Sequence, residues 1–91
     1  MKYDKPQFAL VQQRILDVAR ARVRNGEFTE RGLARHLGIS QPHMHNVLAG
    51  VRPLTAPLLD AMLRGFGISL LDLFSADELH RHLAARERRG S

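Results

Sequence analysis

The 91-residue chain reads as an all-α protein, a compact bundle of five or six helices, on three observations. Apolar residues recur at three- and four-residue spacing along most of its length. Between those stretches stand the usual signs of helix ends, a Ser or Thr before and a Gly after. No segment alternates apolar and polar residues as a half-buried strand does, and there is no internal repeat or low-complexity tract.

Taken in order, Phe8, Val11, Ile15, Val18, Ala19 and Val23 share one helical face, with Gln12, Gln13, Asp17, Arg20 and Arg24 largely between them. This predicts a first helix from about Gln7 to Arg24, ended by Asn25-Gly26. Thr29 is the expected N-cap of a second helix, about Glu30 to Leu37, whose core side is Leu33, Ala34 and Leu37. Gly38 can take the positive φ of a helix end, and Ser40 can cap a third helix from about Gln41 to Ala49. Pro42 is tolerated there because a first turn has no intrahelical N–H bond to lose. Gly50 stops that helix, Val51 to Leu54 form a loop, and Thr55 with Pro57 opens a fourth helix carrying Leu58, Leu59, Met62, Leu63 and Phe66, closed by Gly65 or Gly67. Ser69 precedes a short apolar helix, Leu70 to Phe74. Ser75 and Glu78 have the spacing of a capping box for a last helix bearing Leu79 and Leu83. The expected division is residues 1–75 as the main domain and 76–91 as a C-terminal helix with a charged tail that frays.

Composition narrows the function classes. With 44% hydrophobic and 25% charged residues the chain fits one ordinary soluble domain with a single core. It has no cysteine, which excludes disulfides, thiolate metal sites and cysteine nucleophiles. Lacking an apolar leader or a stretch near the roughly 20 residues of a membrane span, it is expected to be cytoplasmic. The net charge of +5 is unevenly placed: residues 1–52 hold nine Lys/Arg against four Asp/Glu, residues 53–91 five against five. A basic half favours a polyanion by releasing its condensed counterions.

The segment ERGLARHLGISQPHMHNVLA, residues 30 to 49, places Ala34, Gly38, Met44 and Val47 where two helices meeting at a tight corner need a small residue, a turn glycine and two apolar anchors. That is the pattern of a helix-turn-helix. At 100° per residue from Gln41, Met44, Val47 and Leu48 set a core direction near about 290°. Pro42, His45, Asn46 and Ala49 then point outward, with Gln41 and His43 on the flanks. This face is polar but carries no formal charge, which suits base edges: Gln and Asn bond adenine bidentately, His can bond guanine, and Pro or Ala can touch a thymine methyl. Arg31 and Arg35, one turn apart on the outer side of the second helix, are placed either to reach phosphate or to remain solvated. Thr29 and Ser40 at helix N-termini, His43 on its flank and Arg52 just past the third helix complete the expected phosphate contacts.

FTERGLARHLGISQPHMHNVLAGVRPLTAPLLDAMLRGFGISLLDLF resembles the phage repressor and Cro-like, or XRE-type, helix-turn-helix family over about residues 8 to 75. The likeness extends beyond the two-helix motif into the loop, the fourth helix and the closing GISLLDLF. It implies a lambda-repressor-like five-helix DNA-binding domain, usually a dimer on a palindromic operator, with the start of the third helix in the major groove. By the same resemblance Gln41 and Pro42 fall on the leading base-contact positions, His45 and Asn46 on the next outward pair, and Arg52 on a position that often contacts DNA. Two residues depart from the pattern. Glu30 stands where the family commonly carries a phosphate-bonding Gln, and Gly32 lies inside the second helix at a cost of about 1 kcal/mol relative to Ala.

The leading expectation is therefore a sequence-specific transcriptional regulator that binds double-stranded DNA as a homodimer. Leu73, Phe74, Leu79 and Leu83 could form its interface or pack on the chain's own core. The alternative is a protein-interaction adaptor, or the DNA-binding antitoxin of a toxin pair, whose C-terminal helix and HRHLAARERR tail hold an acidic partner. No catalytic residue, cofactor or metal is expected: there is no phosphate-cradling glycine loop and no nucleophile with a base and orienter. His43 and His45 diverge by about 200° on a helix and cannot share an ion, and His80 and His82 fail in the same way.

Overall fold

The computed structural model describes residues 7–81. Four α-helices follow in order, α1 Gln7–Arg24, α2 Glu30–Leu37, α3 Gln41–Leu48 and α4 Ala56–Phe66, then a 3-10 turn Leu70–Leu73. A further helix, α5, occupies residues 76–81. The molecule is a small all-α bundle, with no strand among the described residues. Leu83, His82 and the tail to residue 91 lie outside the described residues, as does the polar lead before Gln7.

One core holds the bundle together. Ile15 and Ala19 from α1, Leu33 and Ala34 from α2, Met44 and Val47 from α3, and Leu58, Met62 and Phe66 from α4 are buried within it. The helical spacing on α1 is as expected at Val11, Ile15 and Ala19, but Leu16 is also buried and Phe8 is exposed. Leu73 is buried in the same core and Phe74 packs against it, so these two do not contribute to a free apolar face. Leu79 is half-buried.

The ends of the helices follow from local chemistry. Thr29, Ser40 and Thr55 each accept the N–H of the residue three further on, satisfying one of the orphan donors of α2, α3 and α4. At the end of α2, Gly38 takes φ 78°, and its N–H with that of Ile39 bonds the carbonyls of Arg35 and Ala34 at 3.2 and 3.0 Å. This is a Schellman closure, which needs a residue without Cβ at the left-handed position. Of the two glycines that could close α4, Gly67 does so. Gly65 serves a different purpose: a Cβ there would stand 3.0 Å from Leu37 Cδ2 and 3.2 Å from His36 Cδ2. Its absence lets α2 and α4 approach closely. His36 uses that approach to donate Nε2–H to the Gly65 carbonyl at 2.8 Å, while its ring lies 5.2 Å from Phe28.

The boundary expected at residue 75 is a helix start within one packed body. Ser75 N–H donates to Glu78 Oε1 at 2.8 Å and Glu78 N–H donates back to Ser75 Oγ at 3.1 Å, the capping box anticipated from their spacing. Arg14 of α1 then reaches across the chain, donating to the Leu73 carbonyl at 2.9 Å and with both terminal nitrogens to the Glu78 carboxylate. This fork holds the start of α5 against α1. The Arg14 bonds, with the Ser75 N–H, lower the Glu78 carboxyl to about 2.

Candidate nucleic-acid interface

α2 and α3 meet at the three-residue turn Gly38-Ile39-Ser40, and their relative placement is fixed from below by burial. Leu33, Met44 and Val47 are fully buried, and Ala34 of α2 is buried beside them in the core. From the far side, Arg20 of α1 donates Nε–H to the carbonyl of Leu48 at 2.9 Å. That carbonyl is one of the last four of α3, which have no intrahelical partner, so the bond both satisfies it and ties the C-terminal end of α3 to α1.

With its inner face so fixed, α3 leaves Gln41, Pro42, His45 and Ala49 exposed. His43 and Asn46 are half-buried. On the wheel the exposed arc is centred near about 50°, displaced from the expected direction of about 110°. Past Gly50 the chain doubles back, and the N–H groups of Val51 and Arg52 both donate to the Asn46 carbonyl, at 2.9 and 3.0 Å. The loop is therefore tied to the C-terminal end of α3 through the Asn46 carbonyl. Gln41, Pro42 and His45 remain open, while Asn46 stands at the edge of the open face.

His45 is not free on both sides of its ring. Its Nδ1 lies 3.1 and 3.3 Å from the two carboxylate oxygens of Glu30, the first residue of α2. The pair spans fifteen residues and the turn between the helices, so no helical spacing announces it. Glu30 also lies at the N-terminal end of α2, where the helix dipole favours a negative charge. Together with Arg20, Val23 and Arg24 of α1 and Leu48 and Ala49 of α3, these two residues line an open cleft of about 300 Å³. The arginines of this cleft are the part of the surface that sequence reasoning passed over, because α1 carries no motif of its own.

Around this face Arg31, Arg35 and Arg52 are all exposed. Thr29 and Ser40 are exposed as well, their oxygens accepting the N–H of Gly32 at 2.9 Å and of His43 at 3.2 Å. Because a hydroxyl that accepts still has its own O–H to donate, each can cap its helix and bond an external oxygen at once. Gly32 has an explanation in the same place, since a Cβ there would stand 3.0 Å from Thr29 Oγ1. The missing side chain leaves room for the cap.

Comparisons with protein-family models, with curated proteins and with solved structures find no match to this chain. Among the described residues no helix is long and apolar enough to cross a membrane.

Proposed function

We propose that this protein is a sequence-specific DNA-binding transcriptional regulator of the phage repressor and Cro-like kind, which reads the major groove with α3. The observation that carries this reading is the division of α3. Its apolar residues are sunk in the core, its start is capped by Ser40, and Gln41, Pro42 and His45 stand exposed on the side away from the core. An α-helix presented in this way fits the width of the B-DNA major groove, where amide and imidazole groups can discriminate base edges.

In this reading the base contacts are Gln41, Pro42 and His45, with Asn46 at the margin. Arg31, Arg35 and Arg52, the hydroxyls of Thr29 and Ser40, and His43 on the flank hold phosphates and set the register. The excess positive charge of residues 1–52 supplies affinity that carries no sequence information. A homodimer in the cytoplasm would place two copies of α3 about 34 Å apart on a two-fold site, one helical turn of DNA.

Selection of bound duplexes from a random pool tests the proposal. A single enriched motif is the expected result, in two inverted copies if the protein is a dimer. Failure to retain any duplex even at low salt would overturn it.

A further inference from the structure

We propose that Glu30 is a specificity-determining residue: its carboxylate fixes which nitrogen of His45 carries the proton, and so which kind of base edge that imidazole can read. The inference rests on the DNA-binding role proposed above and concerns one contact within it.

A carboxylate accepts hydrogen bonds and has none to give, so the nitrogen facing Glu30 must be the one that bears hydrogen. Nδ1 faces both carboxylate oxygens, at 3.1 and 3.3 Å. A neutral imidazole has a single N–H, and the bond made by one nitrogen determines the state of the other. Nε2, on the opposite edge of a ring whose side chain is 64% exposed, is then left as a bare acceptor. In the major groove an acceptor finds hydrogen on the amino groups of cytosine and adenine, whereas guanine offers only acceptors. His45 held by Glu30 therefore selects cytosine and rejects guanine, the reverse of what an unconstrained His is free to do.

The surroundings support a tuned contact over a chance approach. Glu30 is the one carboxylate lining the cleft, with Arg20 and Arg24 of α1 the charged groups opposite, and nothing ionisable on α3 shares that lining with His45. His43 stands about 160° away around the helix.

Two measurements on the full chain test this, one of them without DNA. Nitrogen-15 NMR of the imidazoles at about pH 8 should find His45 with hydrogen on Nδ1 in the wild type and a mixture of tautomers in Glu30→Ala. That variant keeps the Thr29 cap and so keeps α2. Duplex selection with wild type, Glu30→Ala and His45→Ala should then give the wild type a cytosine-over-guanine preference at one base pair on the order of 5- to 10-fold. The preference should be lost in both variants. Hydrogen on Nε2 of wild-type His45 at pH 8 overturns the assignment whatever the DNA result. An enriched motif with the same cytosine-to-guanine ratio in Glu30→Ala refutes the assignment and leaves the DNA-binding role standing. No duplex selected by any of the three proteins refutes both.

Discussion

Replacing Met44 by Ala asks whether α3 is rotated as described, because that rotation decides which side chains face outward. Met44 is fully buried between α2 and the rest of the core, and truncation removes Cγ, Sδ and Cε. At about 0.8 kcal/mol for each methylene-sized group the lost transfer free energy is roughly 2 kcal/mol. A cavity that relaxes only in part raises the total to about 3 kcal/mol, inside the range for Met→Ala in cores. A domain of this size holds on the order of 5–10 kcal/mol, so a third or more of its stability should go. In urea melts followed by circular dichroism, with a slope of about 1.3 kcal/mol/M, the midpoint should fall by about 2 M with the slope unchanged. Val47→Ala should lose less, since only two methyl groups leave. Gln41→Ala and His45→Ala, on the opposite side, should stay within about 0.5 kcal/mol of wild type. If Met44→Ala costs no more than Gln41→Ala, the inner face of α3 is not where burial puts it, and the outward set has no basis.

Three further outcomes are expected. Gln41→Ala should weaken binding to the selected site by about 1–3 kcal/mol and relax base preference there, with Asn46→Ala, half-buried at the edge of the face, costing less; equal losses on random duplex would argue against direct readout. Arg52→Ala should weaken binding across all sequences and reduce the slope of log affinity against log salt by about 0.9, and an unchanged slope in titrations between low and moderate salt would reject a phosphate contact. Glu78, held down to about 2 chiefly by Arg14, stabilises the fold fully above the ordinary carboxylate range and loses that contribution as pH falls through it toward 2. Wild type should therefore lose stability more steeply than Glu78→Gln between about pH 5 and pH 2, and parallel urea midpoints across that range would show that the Arg14 fork does not bind α5 to α1.

What could be read without coordinates was whatever depends on neighbours along the chain. The bounds of α1 and α2 follow from apolar period, cap and glycine, because the orphan N–H and C=O groups at a helix end are satisfied within three or four residues. For the same reason the Ser75–Glu78 box was readable, and so was Pro42 in the first turn of α3. Met44, Val47 and Leu48 as the buried side of α3 needed only the helical angle.

Contacts between elements were not readable in this way, since their partners lie far apart in the chain and carry no fixed spacing. Packing decided that Gly65 is empty to admit Leu37, that Leu73 belongs to the core, and that Arg14 closes on Glu78 from sixty-four residues away. It also left Asn46 half-buried at the edge of the open face of α3 and set Glu30 against His45. The sequence alone determined which residue types α3 could offer to a ligand, because composition and helical period are local properties. Only the tertiary structure decided which of them stand clear of the protein and which nitrogen of His45 faces a carboxylate, because both depend on where the other elements come to rest.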